Sequence, residues 1–349
     1  HHRFAGGKRL ELADQVTVAA GRLLAAKGLD RAEHLLDAVD GQEHQADGIA
    51  GHRMVALQTL RTINSSLDST NSRVSTGLRV GNASDSAAYW SIATTTKSDN
   101  GALGAVKDAL GLGASTIDVV STGLNETRKV LQQVKELLVT ALQPGVDRAK
   151  VQTEITGRLD DIKNKASSTV INGQNWLDVD SSGADYNASK GIVASFTRVA
   201  GTVAVDTIDL DISDISMYDA NGNIGIMDKD RTAGGTTIAV ADIDVSALTD
   251  SSADLTSINE YVQVVDDALA DITSASTTVG TVSTRIESQQ SFVKALMDAN
   301  ERAIGTLVDA DMEQESTKLK ALQTQQQLAV QSLSIANSSS QNILSLFRN

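Results

Sequence analysis

Histidine and carboxylate are the side chains here with the most chemistry to offer, and their placement limits it. All five histidines, His1, His2, His34, His44 and His52, fall at the N-terminal end, and none follows. The spacings of ten and eight residues between the last three match no ligand pair on one helix face. Asp206, Asp209, Asp211 and Asp214 offer oxygens to Ca²⁺, but the loop spacing of an EF-hand is missing. A solvated strand face is the simpler reading. Asp160-Asp161 and Asp266-Asp267 read as solvated helix positions. With no cysteine there is no thiolate nucleophile, disulfide or Cys-ligated metal. HExxH, P-loop, GxSxG and strand-borne GxGxxG patterns are all missing. Histidine acid–base chemistry is therefore excluded from the main body, and neither an enzyme nor a cofactor or metal site is expected.

What remains is elements that meet other elements. The C-terminal run from Lys318 has apolar residues at 3-and-4 spacing, diluted with Gln, Asn and Ser. Its seam is Leu319, Leu322, Gln326, Ala329, Leu333, Ala336, Ser340, Ile343 and Phe347. The run from Met54 to Val80 is built alike, on Leu57, Leu60, Asn64, Leu67, Asn71, Val74 and Leu78. Sustained a/d spacing argues for coiled-coil packing, and the polar members argue against a strong coil standing alone. So few large apolar side chains cannot offset the entropy of ordering so long a segment. These ends are expected to be frayed or disordered alone and to order when many neighbours cover them.

The 349 residues suggest two or three domains. A net charge of −14 argues against nucleic acid, whose phosphates would repel it. Aromatics are 3% of the chain, low for a deep apolar pocket, and Pro144 is the single proline, which suits long helices. No apolar run is long enough for membrane insertion, and no secretory signal core is visible.

Residues 1–53 look foreign to the rest: rich in Ala, Gly, Arg, Leu and Asp, and poor in the Ser, Thr and Asn that dominate later. They are expected to be an anomalous extension, a tag, leader or wrong-frame remnant, able to form one or two amphipathic helices. A patterned helical region follows over 54–97, broken at Gly77 and Gly81. The longest heptad covers 102–142, on Val106, Leu110, Gly113, Ile117, Val120, Leu124, Thr127, Leu131, Val134, Leu138 and Ala141. Pro144-Gly145 ends it. Asp147 then caps a helix to about Ala166, with Val151, Ile155, Leu159 and Ile162 on one face.

From Ser167 to about Asp250 the pattern turns to strands, in IVASFTRVA, TVAVDTIDLDI and TTIAVADIDV. Asn221-Gly222 is a tight hairpin signal. Helix resumes near Ser252 or Asp254 and runs to about Ala310. Its stripe is Val262, Val265, Leu269 and Ile272, then Val279, Val282, Ile286, Phe292 and Leu296. A last helix starts near Met312. The fold class is mainly α with a β-rich insertion: a long antiparallel, coiled-coil-like bundle of the N- and C-terminal halves, with an outer β module between them.

Four stretches carry a family resemblance. They are Ala56–Ala93 (ALQTLRTINSSLDSTNSRVSTGLRVGNASDSAAYWSIA), Ser98–Ser115 (SDNGALGAVKDALGLGAS), Ile171–Leu177 (INGQNWL) and Ala321–Arg348 (ALQTQQQLAVQSLSIANSSSQNILSLFR). Together the chain resembles bacterial flagellin, the filament subunit, in the form found in rhizobia and other soil α-proteobacteria. The resemblance implies an inner terminal-helix domain (54–97 with 308–349), a helical core (98–177 with 254–307) and a variable outer domain (178–253). It implies self-assembly, as a homopolymer or a mixed-flagellin filament, with the terminal helices ordering on assembly. Leu57, Leu60, Leu67, Val74, Leu78, Leu319, Leu322, Leu333, Ile343 and Phe347 would pack between subunits. It also implies unfolded export through the flagellar type III apparatus with an export chaperone, contacts with cap and hook-associated proteins, and an extracellular flagellar location. No cofactor is implied.

Two immune-receptor segments follow from the same resemblance. The segment that plant receptors read corresponds to Ser72–Ala93. Strong elicitors carry Lys-Asp-Asp where this chain has Ser84-Asp85-Ser86, so weak perception is expected. The animal Toll-like receptor site resembles Leu131–Thr140, with Glu154 on the adjacent helix. Gln133 stands where stimulating flagellins have Arg, and loss of a charged, forked donor should weaken that contact. Family members start about a dozen residues before the position of Ala56, so residues 1–53 are expected to be missing from mature filaments. The competing readings are a hook–filament junction protein, or a surface protein binding glycans or host surfaces through 178–253.

Overall fold

The computed structural model describes residues 30–346. The chain divides into two compact units: the described chain up to Trp90 together with Val308 onward, and Ser91–Leu307.

In the first unit, helix α1 spans Asp30–Thr76. The start expected near Met54 therefore lies earlier, because residues 30–53 contain many helix formers and no proline. The helix stops at Gly77, which has φ +72° and bonds back to the Arg73 carbonyl at 2.8 Å, the left-handed stop that glycine permits. Helix α2 (Ala87–Ala141) begins beyond a short loop, and helix α5 (Met312–Leu346) closes the described chain.

In the second unit α2 runs to the Pro144-Gly145 turn, where Gly145 has φ +77°. Asp147 then caps α3 (Arg148–Ser168), its carboxylate accepting the Lys150 N–H at 3.3 Å. Every member of the 102–142 heptad seam is buried, as are Val151, Ile155, Leu159 and Ile162 of α3. Helix α4 (Ser252–Val308) buries Val265, Ile272, Val279, Val282 and Ile286 and half-buries Val262, Leu269 and Leu296. Its expected stripe fails at Phe292, which is 59% exposed, while Val293 is inside. Seven residues beyond Ile286 return to the buried face, and six do not.

Eight short strands lie between the helices: β1 (Val170–Ile171), β2 (Gln174–Asn175), β3 (Asp178–Val179), β4 (Ser189–Val199), β5 (Thr202–Asp211), β6 (Tyr218–Asp219), β7 (Arg231–Ala233) and β8 (Thr236–Ile238). The pairs β1–β2, β4–β5 and β7–β8 are antiparallel, and β3–β6 is parallel. The long hairpin β4–β5 turns on Ala200-Gly201, with φ +50° and +84°, the twist that suits a two-residue hairpin. Asn221-Gly222 turns the chain after β6 but joins no hairpin, because β6 pairs with β3. The third expected strand is short: after Ile238 the chain enters a 3₁₀ turn at Val240–Asp242.

Helices and strands of this unit share one continuous core. Leu177, Leu210, Ile212, Ile215 and Met217 join the cluster formed by the seams of α2, α3 and α4. Two helix glycines make the junction possible. A Cβ at Gly113 would lie 2.4 Å from Ile192 Cγ2, and one at Gly123 would lie 2.6 Å from Leu177 Cδ1. Buried arginines tie the periphery to this core. Arg148 donates Nε–H to the Ala141 carbonyl at 2.9 Å and Nη2–H to Asp250 at 2.7 Å. Arg231 bonds the Ile226 carbonyl and Asp271, each at 2.6 Å.

Candidate functional site

The two polar-diluted seams meet each other. In the first unit α1 and α5 pack antiparallel, and their alignment can be read from cross-helix bonds. Gln326 Nε2 donates to Asn64 Oδ1 at 2.7 Å, and Arg73 Nη1 meets Glu315 Oε1 at 3.3 Å. Where the helices end, the Ala310 N–H bonds the Gly77 carbonyl at 2.8 Å, and Arg79 and Val80 donate to the Val308 carbonyl. Asp311 caps α5 by accepting from the Glu313 and Gln314 N–H groups.

The pair buries little. Leu322 is inside, while Leu60, Leu67, Val74, Leu78, Leu319 and Leu333 are half-buried and Leu57 is 43% exposed. The side chains of Ile343 and Phe347 lie outside what the structure describes. Ile63 and Thr70, absent from the expected seam, are the buried positions among the described side chains of α1, each one residue before the expected Asn64 and Asn71. A straight helix drifts against a strict heptad, and that drift moves the contact line by one residue. Asn71 is exposed; Asn64 is half-buried and faces Gln326.

Around this seam apolar side chains remain exposed. Met54, Val55, Leu57, Leu328, Val330 and Ile335 are all exposed.

The receptor-segment residues divide between the units. In the first, the exposed Asp85 folds its carboxylate back on its own loop, accepting from the Gly81 and Asn82 N–H groups at 2.9 and 3.2 Å. Ser84 donates its N–H to Asn82 Oδ1 at 3.0 Å, and the Ser86 carbonyl accepts from Trp90 at 2.9 Å. The side-chain bonds close the loop before α2, and the Trp90 bond opens the helix itself. Tyr89 and Trp90 are exposed, and the Arg79 guanidinium lies 5.7 Å from the Tyr89 ring centroid. In the second unit, Gln133 and Glu154 are exposed, whereas Leu131 is fully buried and belongs to the core rather than to a receptor surface.

Shifted titrations trace the frame of the second unit. The bond from Arg148 holds Asp250 below the usual carboxylate range, with help from the Gly145 N–H. Burial raises Asp271, but bonds from Lys229 and Arg231 outweigh it and leave the group lowered. Burial pushes the Tyr218 phenol well above its ordinary value, and the charges of Asp228, Asp178 and Asp160 add to this. Among the described residues, no group of three or more His, Cys, Asp or Glu side chains is placed to hold a metal ion. Asp206 and Asp209 accept from neighbouring hydroxyls and Asp211 caps a 3₁₀ turn. Among the described residues no helix is long and apolar enough to cross a membrane.

Comparison with known proteins agrees with this arrangement. Residues 51–182 match the bacterial flagellin N-terminal helical region, and residues 262–347 match the C-terminal helical region. The gap between them holds most of the strands. Flagellin A of Rhizobium meliloti (strain 1021) is 39% identical over 386 aligned positions, covering 84% of this chain and 98% of that one. Flagellin C of the same strain is 42% identical over 312 positions, covering 84% and 97%. A flagellin of Brucella melitensis biotype 1 is 43% identical over 296 positions, covering 84% and 96%. Both helical ends and most of the length are accounted for: the chain belongs to the bacterial flagellin family and is a structural subunit of the extracellular flagellar filament.

Proposed function

We propose that this subunit polymerises through its terminal helices, with Met54–Arg79 and Thr317–Asn349 forming the inner layer of the filament. The observation that carries this is the amount of apolar surface the α1–α5 pair leaves exposed beside its thin seam. Its seam is closed by a few half-buried leucines and polar pairs, while Met54, Val55, Leu57, Leu328, Val330 and Ile335 stand exposed. Further copies would cover that surface, and Leu57, Leu60, Leu67, Val74, Leu78, Leu319, Leu322, Leu333, Ile343 and Phe347 would divide between packing within a copy and packing between copies. In this reading 54–97 with 308–349 is the inner domain, 98–177 with 254–307 the core, and 178–253 the outermost part. A chain without cysteine and with one proline suits unfolded export through a type III channel with its chaperone, and then contact with cap and hook-associated proteins.

Negative-stain microscopy of the purified protein with and without residues 317–349 tests the proposal. Filaments are expected only with the tail intact; filaments from the truncated chain would overturn it. Recognition by immune receptors is weak in this reading. Asp85 is engaged within its own loop, and Gln133 offers an uncharged amide where a forked cation would bind. Restoring Arg at position 133 is expected to raise the response of an animal flagellin receptor about tenfold in a cell reporter assay, the gain of one charge-assisted bond.

A further inference from the structure

Among the described residues, two polar side-chain contacts cross the terminal helix pair, in or beside its seam. Asn64 and Gln326 are half-buried and bond at 2.7 Å. Arg73 and Glu315 meet at 3.3 Å, with Glu315 nearly enclosed and its second oxygen, Oε2, buried without a partner. A pair built for strength alone would carry leucine at these positions, and the orphaned oxygen makes this one weaker still. We propose that these four residues fix the register of α1 against α5. The inference rests on the proposed role of the terminal helices and adds what sets their alignment.

The physical reason is that leucine contacts are interchangeable. Leu57, Leu60, Leu67, Leu319, Leu322 and Leu333 could pair in several alignments one turn apart with similar burial. The polar pairs cannot. A slip of one turn parts Asn64 from Gln326 and leaves two amides facing apolar side chains. The same slip parts Glu315 from Arg73 while the carboxylate stays enclosed. A polar residue at a single seam position is known to select one register at a cost in stability. The two pairs also differ in kind, so neither contact can be remade by the partner of the other: an amide meets an amide, and a guanidinium meets a carboxylate. The dilution of the seams is thus a selection among alternatives that the apolar residues leave open.

The absence of cysteine makes the register directly readable. Leu67 and Leu322 lie between the two polar pairs, so Leu67→Cys with Leu322→Cys reports the native alignment. Leu67→Cys with Leu319→Cys, or Asn71→Cys with Leu322→Cys, reports a slip of one turn. Each pair is placed in the full chain, assembled into filaments, oxidised, and scored by gel and mass spectrometry. The parent is expected to cross-link at 67–322 and hardly at all in the offset pairs. Adding Asn64→Leu with Arg73→Leu is expected to raise the offset 67–319 product about tenfold, which corresponds to ~1.4 kcal/mol of lost discrimination. Arg73→Glu alone should act in the same direction, and Arg73→Glu with Glu315→Arg should restore the native pattern. An offset yield unchanged in the leucine variant would overturn the register assignment while the native cross-link still upholds the helix pairing. Failure of the 67–322 cross-link in parent filaments would overturn the pairing itself.

Discussion

Thr127 shows how a side chain can suit a pattern and still weaken the protein. It completes the α2 seam and is fully buried, but its hydroxyl has no hydrogen-bond partner. Thr127→Val keeps the shape and removes the orphan. It is expected to stabilise the second unit by ~1–2 kcal/mol in denaturant unfolding. Asp228 is the second such residue. One of its oxygens accepts the Asp219 N–H at 2.8 Å, and the other is buried without a partner. Burial raises it above the ordinary 3.8, and the Asp219 carboxylate adds to this against backbone N–H bonds. A raised carboxyl binds its proton more tightly in the folded state, so stability grows as the pH falls toward and through the raised value. Asp250, Asp254 and Asp271 are lowered, so their contributions are lost as the pH falls below that ordinary value. The thermal midpoint should therefore rise as the pH falls from neutral toward the raised Asp228 value, and fall once the pH drops below the ordinary carboxylate value. Asp228→Asn should raise the midpoint at neutral pH and flatten the upper limb; a lower midpoint at pH 7 would contradict this.

At the scale of elements, the glycines of α2 reverse a familiar rule. Gly→Ala in a helix usually stabilises by up to ~1 kcal/mol. At Gly113 the new methyl would meet Ile192 at 2.4 Å, so Gly113→Ala is expected to destabilise by ~1–3 kcal/mol in thermal or denaturant unfolding. Pairing it with Ile192→Ala, which removes the Cγ2 methyl that makes the contact, should cost less than the sum of the two single changes. The helices were legible in the sequence because their seams repeat over many turns: all eleven positions of the 102–142 heptad are inside. The strands were less so. The β4–β5 hairpin has strong alternation, but its turn is Ala200-Gly201, which carries no asparagine to announce it. Asn221-Gly222 has the sequence of a hairpin turn, but the following chain bonds elsewhere, because β6 is held by β3 from far away in sequence. In the terminal helices the periodic residues named the right face within one residue. What could not be read was that Asn64 would find Gln326, a contact 262 residues apart in sequence.

At the scale of the molecule, the two units are held by very different amounts of core. The second unit buries whole seams of α2, α3 and α4 with the strand residues, whereas among the described residues the first buries Ile63, Thr70, Val80, Val308 and Leu322. The monomer should therefore unfold in two steps. Calorimetry of the full chain is expected to show a weak early transition and a strong later one, with amide exchange in 54–76 and 317–335 fast before assembly and slow in the filament. A single sharp transition would show that the terminal pair is as firmly held as the core.

One surface of α4 has a consequence for hydration. The hydroxyls of Thr273, Thr277, Thr278, Thr281 and Thr284 each donate to the carbonyl four residues earlier, at 2.8 to 3.1 Å. Each threonine is exposed, but its polar atom is already satisfied by its own helix, which leaves the methyl group as the outermost part. Read as letters, this stretch is polar; met by water, it is closer to a row of valines. Such a face can shed its water at small cost when another surface comes near, and charged side chains in the same place could not.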